Sequence, residues 1–358
     1  MSLKFKILAC ILCSFSFGFE AHAYKYVIIT DQADPKKSEE VIELFKNTYP
    51  FNTFSVEFEI LKVDGNKLDC DSHYGIESKI GCKNGSEIQS MAQERGADQV
   101  MVVKELSKYG GSSAVGGGYP VITTSSDARV MIHEYLHTLG LCDEYKFKPS
   151  EAKLNCGTSR NTPNLAYIKP EDYYSSDSDA RRKHMWDIPW FSSISRKTLI
   201  TNSNQRVLGT DPTDPNSLAA INTARFPMAI NGQANQIGLY RAGVCDNATP
   251  PVPTWKPEGI ATVMSDISAG LGAHAEKTVD KILLSKGIKK KLDNEVPRNP
   301  EVVVQSQSQT HAEVGSVSRD IVNADPDQTV NNSSRGFFKS FFAWVGDLIR
   351  QIGNAMTR

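Results

Sequence analysis

The segment from His133 to Asp143 carries the residues best suited to chemistry, and it reads HEYLHTLGLCD. His133 and His137 are four residues apart, so on a helix they share one face and both imidazoles can reach one metal ion. Glu134 stands beside the first histidine, where its carboxylate can reach a water molecule at the metal rather than the metal itself. These three side chains predict a metal-dependent hydrolytic site.

Gly140 and Asp143 complete the pattern. Glycine adopts the left-handed backbone conformation without a clash of its side chain, so the helix can end and the chain can turn back at Gly140. That turn predicts Asp143 as a third ligand. Three protein ligands leave one position of a tetrahedral zinc ion open, which is typical of a catalytic site. We therefore predict one catalytic Zn²⁺ ion and no other cofactor.

The motif HEYLHTLGLCD resembles the signature of the metzincin clan of zinc metallopeptidases, and its final aspartate resembles the snapalysin-like branch. The sequences GLCDEY, KYGGS and GLYR, which begin at Gly140, Lys108 and Gly238, are similar to the IgA-peptidase-like metallopeptidases. Those enzymes place the aspartate one residue later, which is why Glu144 stays open as the third ligand. The resemblance covers residues 24–291 and implies a zinc peptidase with His133 among its ligands.

The resemblance also implies a methionine turn beneath the metal. Met264 is the preferred candidate because a predicted helix follows it, and Met228 is the alternative because the turn-forming pair Asn231-Gly232 follows it closely. Some relatives keep a tyrosine two residues after the methionine as a donor to the transition state. Neither methionine has one there, so Tyr145 and Tyr240 are the candidates for that role.

Composition limits the classes of function. The 358 residues include 40 basic and 41 acidic side chains, giving a net charge of −1. A nucleic-acid-binding protein normally has a basic excess, so we expect no nucleic-acid partner. The hydrophobic share of 40% is that of a globular protein long enough to bury a sizeable core.

The N-terminus predicts export. Lys4 and Lys6 precede an apolar stretch from Ile7 to Phe19, and Ala21-His22-Ala23 places small residues at the positions that a signal peptidase reads. We therefore predict a signal peptide at residues 1–23 and a secreted, extracellular or periplasmic protein. Five cysteines remain after cleavage, of which Cys70 and Cys82 form the easiest local pair. A pair of Cys142 with Cys156 would hold the segment after the metal motif.

The order of predicted elements indicates an α/β (α+β) fold. Strands are predicted at Tyr26 to Thr30, Phe54 to Val63 and Gln99 to Val103, with helices at Glu39 to Lys46 and Ser86 to Arg95 between them. This order predicts an N-terminal mixed sheet with helices, followed by the metal-binding helix, which Asp127 can cap. The segment from Tyr119 to Ser125 is predicted as an extended edge that could pair with a substrate backbone.

The later part of the chain is predicted to be loop-rich, with the methionine turn and a closing helix at Ala273 to Lys286. We predict a catalytic domain at residues 24–291, a disordered linker at 292–335 and an amphipathic helix at 336–358. The last helix could dock on a protein or on a membrane surface.

The sequence thus predicts a secreted zinc endopeptidase that acts on protein or peptide substrates. Two alternatives stay open: an exported, non-catalytic binding protein on a metzincin scaffold, and a metal-dependent hydrolase of cell-wall peptides. A third ligand from a distant acid such as Glu171 would leave the spacing of Gly140 and Asp143 without a purpose. The other histidines, including His184 and His274, have no second ligand at helical spacing and are expected to be core or surface residues.

Overall fold

A computed structural model describes residues 23–73, 75–157, 161–202, 205–210 and 236–291. Met228, the predicted linker, the predicted C-terminal helix and all but the last residue of the predicted signal peptide lie outside these ranges. Among the described helices, none combines the length and the apolar character needed to cross a membrane.

The described residues form a mixed α/β structure, as the sequence predicts. The strands are β1 (Tyr24–Thr30), β2 (Val56–Lys62), β3 (Cys70–His73), β4 (Ile76–Cys82), β5 (Gln99–Lys104), β6 (Gly111–Ser112), β7 (Val121–Thr123), β8 (Ala166–Tyr167), β9 (Tyr240–Arg241) and β10 (Thr254–Lys256). The α-helices are α1 (Lys36–Asn47), α2 (Gly85–Gln93), α3 (Ala128–Thr138), α4 (Pro149–Asn155), α5 (Asp177–His184) and α6 (Ala273–Ser285).

The largest sheet has five strands in the order β2-β1-β5-β7-β6. The first four strands are parallel, and β6 runs antiparallel to β7. The predicted strands and helices of the N-terminal part are all present, with bounds that differ by a few residues. Parallel strands need crossover connections, and α1 and α2 supply two of them.

The prediction of an edge at Tyr119 to Ser125 is wrong. Within this segment β7 pairs with β5 on one side and with β6 on the other, so both of its edges are already hydrogen-bonded. The two-residue strand β6 forms that edge of the sheet instead. Substrate pairing with the main chain of β7 is therefore ruled out.

Alternate side chains of the central strands serve two different cores, as the two-residue period of a strand requires. One face packs Tyr26, Ile28 and Met101 against helices α1, α3 and α6. The opposite face packs Val27, Ile29 and Val102 against α2 and the β3–β4 hairpin. A hydrogen bond of 2.8 Å between the hydroxyls of Tyr26 and Tyr135 fastens helix α3 to the centre of the sheet.

Strands β8, β10 and β9 form a second, three-stranded sheet in that order. Its core contains Trp190, Trp255 and Tyr174. Both tryptophan indoles donate to backbone carbonyls, at Gly238 and Ile168, so their only polar groups are satisfied inside this core.

Two disulfides cross-link the described residues. Cys70 pairs with Cys82 as predicted, within the β3–β4 hairpin. The predicted pair of Cys142 with Cys156 is wrong, because Cys156 pairs with Cys245 across 89 residues and Cys142 is free. Folding brings Cys245 to the end of α4. The two cysteines are too far apart in the sequence for their spacing to predict this pair. Two disulfides fit an oxidising compartment, consistent with export.

Candidate metal centre

Helix α3 carries the two histidines and the glutamate of the motif. The Asp127 carboxylate accepts a hydrogen bond of 2.9 Å from the Arg129 backbone N–H, so the predicted cap is present. Every residue from Val130 to Thr138 is buried, which is the pattern of a helix enclosed on all sides. Polar side chains on such a helix are retained only where they have partners or bind ligands.

Gly140 ends the helix as the sequence predicts. Its φ angle is +93°, in the region that glycine adopts without strain, and the Leu141 N–H donates to Leu136 O at 3.2 Å. The chain therefore reverses within a few residues of the helix. This reversal returns Asp143 to the face that carries His133 and His137.

Three ligand atoms converge at this place. Asp143 Oδ1 lies 3.0 Å from His133 Nε2 and 3.3 Å from His137 Nε2. Four-coordinate zinc with arms of about 2.0–2.2 Å places its ligand atoms about 3.3 Å apart, so these separations match a shared ion. Among the described residues, these three form the group of histidine, cysteine and acidic side chains that could hold a metal ion.

The other nitrogen of each histidine is held by the backbone. His133 Nδ1 donates to Val263 O at 2.9 Å, and His137 Nδ1 donates to Leu141 O at 2.8 Å. Because a carbonyl can only accept, both Nδ1 atoms carry a proton. In the neutral form of each imidazole the lone pair is therefore on Nε2, the atom that faces Asp143. Metal-binding histidines in proteins are oriented in this way.

The oxygen atom at the centre of the cluster tests whether a metal fits. Asp143 Oδ1 is buried without a hydrogen-bond partner, since neither Nε2 contact has the geometry of a hydrogen bond. An unpaired buried carboxylate oxygen is costly, and coordination to a cation would satisfy it. Two imidazoles and one carboxylate are also a donor set that zinc accepts. The residues therefore fit a zinc ion, although the donor set does not fix the identity of the metal.

The charges of the cluster depend strongly on one another. Burial disfavours a charged His137, but the Asp143 carboxylate outweighs it and raises the pKa of His137 to about 9. Burial would likewise raise the pKa of Asp143, but the two histidines hold it well below its ordinary value. In the metal-free protein a proton thus replaces the cation as the partner of Asp143.

Glu134 lies beside the cluster without belonging to it. Its carboxylate oxygen Oε2 is 4.0 Å from His137 Nε2, and burial raises the pKa of Glu134. The edge strand approaches closely here, since a Cβ atom on Gly111 would lie 3.1 Å from Glu134 Cγ. Glycine at this position lets the sheet edge pack directly against the predicted general base.

Glu144, the alternative third ligand, points elsewhere. Its Oε1 accepts from Asn164 Nδ2 and its Oε2 accepts from Thr262 Oγ1, both at 2.9 Å. Lys256 Nζ lies 3.6 Å from Oε2. With these partners Glu144 is committed to the interior, and the geometry favours Asp143 as the ligand. Asn164 was not singled out by the sequence, because it lies 20 residues beyond Glu144 in a loop without a motif.

Met264 lies in a turn that contacts both parts of the metal motif. Its side chain is fully buried in the core with helices α3 and α6, and its carbonyl oxygen accepts from the Glu144 N–H at 2.9 Å. The preceding residue, Val263, accepts from His133. Helix α6 follows a few residues later, which is the order that the sequence predicts.

The two candidate tyrosines occupy different places. Burial, and next the charge of Asp143, raise the pKa of Tyr145, so this phenol lies beside the cluster. The Tyr240 hydroxyl donates to Gln236 O at 3.2 Å, and the charge that acts on it is that of Glu258. Neither contact involves a metal ligand, so Tyr145 is the better placed of the two candidates, and the role of Tyr240 as a donor stays a prediction.

The remaining acidic and histidine candidates have other partners. Glu171, the distant acid, forms an ion pair of 2.5 Å with Lys183. His184 and His274 are buried and hydrogen-bonded within the core, as expected for histidines without a second ligand.

No protein-family model matches the chain, and no curated protein matches it. The crystal structure of archaemetzincin from Methanopyrus kandleri is similar with a TM-score of 0.23 and 14% sequence identity, over 34% of this chain and 76% of that one. A likeness this low carries no argument about fold or activity.

Proposed function

We propose that this protein is an exported zinc endopeptidase of the metzincin type, with His133, His137 and Asp143 as ligands and Glu134 as general base. The observation that carries the proposal is the convergence of two Nε2 atoms on a buried aspartate oxygen that has no hydrogen-bond partner. Metzincin membership is inferred from the motif. The turn at Met264 supports it, because this turn contacts both His133 and the residue after Asp143.

Zinc bound at this site would supply Lewis-acid chemistry, polarising a substrate carbonyl and lowering the pKa of a water molecule. The protein residues perform the proton transfers. Glu134 Oε2 lies 4.0 Å from His137 Nε2, where its carboxylate can accept a proton from the attacking water and deliver it to the departing amine. Burial raises the pKa of Glu134, which suits a group that must both accept and donate a proton.

Tyr145 is the favoured candidate for a donor to the transition state, because the Asp143 charge acts on its phenol. Its position beside Asp143 and its raised pKa keep the phenol protonated, so it can donate a hydrogen bond to a developing oxyanion. We assign this role to Tyr145 as part of the proposal.

The decisive experiment measures zinc per chain in the mature protein from Tyr24 onward, together with a His137→Ala variant. About one zinc ion per chain, absent from the variant, is expected for a three-ligand site. Cleavage of a peptide library, absent with Glu134→Ala, would then establish the peptidase. Folded, chelator-free protein without zinc would contradict the proposal and favour an exported binding protein. Zinc binding with cleavage of cell-wall peptides alone would favour the other alternative.

A further inference from the structure

Asn164 is a buried amide that joins the two neighbours of the proposed ligand Asp143. Only 1% of its surface is exposed. Its Oδ1 accepts from the Cys142 N–H at 2.8 Å, and its Nδ2 donates to Cys142 O at 2.7 Å. The same Nδ2 donates to Glu144 Oε1 at 2.9 Å. One side chain therefore fixes the backbone before Asp143 and the side chain after it.

The backbone at Asp143 needs such an anchor. The helix ends before Gly140, so no helical hydrogen bond holds the segment that carries the third ligand. A coordinating group must be held within about 0.5 Å of its productive position, and the short aspartate side chain cannot correct a displaced backbone. The three hydrogen bonds of Asn164 supply that restraint on both sides.

The same network reaches the turn that orients His133. Glu144 N–H donates to Met264 O at 2.9 Å, and the Thr262 hydroxyl donates to Glu144 Oε2 at 2.9 Å. Val263, which lies between Thr262 and Met264 in the sequence, accepts the hydrogen bond of His133 Nδ1 through its backbone carbonyl. Asn164 is therefore linked by way of Glu144 to the turn at Thr262 to Met264, and this turn orients the imidazole of His133.

We propose that Asn164 is a positioning residue for the metal centre, which holds Asp143 against His133 and His137 by fastening Cys142 and Glu144. This inference rests on the proposed zinc site, and it adds a residue that no part of the metal motif contains. Asn164 does not touch the metal or the substrate. Its effect reaches the metal through the geometry of Asp143.

Asn164→Ala in the full mature chain tests the inference, with zinc affinity measured by competition with a chromophoric chelator. Loss of an outer partner of a ligand typically weakens metal binding about 10- to 100-fold, and we expect a loss in that range. The visible spectrum of the cobalt-substituted protein should change too, because it reports the geometry of the ligands.

Asn161→Ala is the matched control. Asn161 lies in the same loop and also bridges backbone groups, accepting from the Tyr167 N–H at 2.9 Å and donating to Asp187 O at 2.8 Å. Neither partner belongs to the metal motif. We expect this variant to keep the zinc affinity and cobalt spectrum of the parent, even if both variants lose similar thermal stability.

A second pair covers the case in which Asn164→Ala does not fold. Thr262→Val removes the hydroxyl that donates a hydrogen bond to Glu144 Oε2, whereas Thr262→Ser retains it. We expect weaker zinc binding with valine and rescue with serine. Unchanged affinity and spectrum in folded Asn164→Ala, or in Thr262→Val where the first variant is unfolded, would overturn the inference while the parent still binds zinc. Failure of the parent to bind zinc would instead overturn the proposed function.

Discussion

Two buried histidine clusters in this protein resemble each other in composition and differ in their hydrogen bonding. In one, His184 Nε2 lies 2.7 Å from the Tyr174 hydroxyl and Nδ1 lies 3.1 Å from Asp187 Oδ2. In the other, His133 and His137 each use only Nδ1 in a hydrogen bond and turn Nε2 toward Asp143.

The difference separates a structural histidine from a ligand. Both nitrogens of His184 have partners, so a metal could bind there only by breaking a hydrogen bond. The Nε2 atoms of His133 and His137 instead both face Asp143 Oδ1, which has no hydrogen-bond partner. A histidine, an acid and a tyrosine in contact are therefore insufficient to indicate a metal site. The informative feature is the convergence of two Nε2 atoms on one buried carboxylate oxygen.

The largest expected effect separates the two clusters by metal content. His137→Ala should abolish zinc binding and activity, because two ligands do not hold the ion. His184→Ala should keep both and lower the free energy of unfolding by about 1–3 kcal/mol, since it leaves the buried Tyr174 hydroxyl with one partner fewer. Zinc analysis and thermal unfolding of the two variants check this, and zinc loss from His184→Ala would remove the distinction.

Substitution of the acid in each cluster should affect kcat very differently. Glu134→Gln is expected to lower kcat by about 10²–10⁴ while zinc stays bound, because the change removes a proton acceptor and no ligand. Asp187→Asn, in the other cluster, should leave kcat unchanged. Steady-state kinetics with zinc-loaded protein distinguishes them. A full rate with Glu134→Gln would show that another group accepts the proton.

Tyr145 and Tyr174, one beside each cluster, should also differ in their effect on kcat. Tyr145→Phe should lower kcat by about 10²-fold, the typical cost of removing one hydrogen-bond donor to an oxyanion. Tyr174→Phe should leave kcat unchanged and cost about 1 kcal/mol in the free energy of unfolding through the lost bond to His184. Kinetics and denaturant titration of both variants test this. Equal kcat in parent and Tyr145→Phe would assign Tyr145 to packing.

The smallest expected effect is a pH dependence that belongs to one cluster alone. The pKa of His137 is raised to about 9 in the metal-free protein, so below pH 9 zinc must displace a proton. Zinc affinity should therefore increase with pH up to about 9, by about tenfold per unit for one proton. His184→Ala should show the same profile. Calorimetry across this range checks it, and a flat profile would contradict the coupling of His137 to Asp143.

The raised pKa of His137 also determines how the stability of the metal-free protein changes with pH. Because the folded-state pKa lies above the ordinary value of 6.5, protonated His137 stabilises the fold. That contribution is fully present below pH 6.5 and is lost as the pH rises toward 9. The free energy of unfolding of metal-free protein should decrease over this interval, while saturating zinc should remove the effect.

Much of the metal centre could be predicted from the sequence because it is local. The Asp127 cap, the histidine spacing, the turn at Gly140 and the return of Asp143 all depend on contacts within 17 residues. Such contacts follow from helix geometry and from the conformational freedom of glycine. The strands and helices before the motif can be predicted for the same reason, since each has its own pattern of apolar residues.

The remainder depends on contacts between distant segments. Asn164 and Thr262 approach Glu144 from 20 and 118 residues away, and no periodic pattern encodes either contact. The position of β7 inside the sheet depends on its pairing with β6, a strand of two residues, which is too short to give a recognisable pattern of apolar residues in the sequence.

The bond between Cys156 and Cys245 has a consequence for a protein proposed to cut peptides. It closes a loop of 89 residues that begins shortly after the metal motif. A single cut of the chain anywhere inside that loop would leave the two fragments covalently joined. Self-cleavage there would therefore be invisible on a non-reducing gel and would appear as two bands only after reduction.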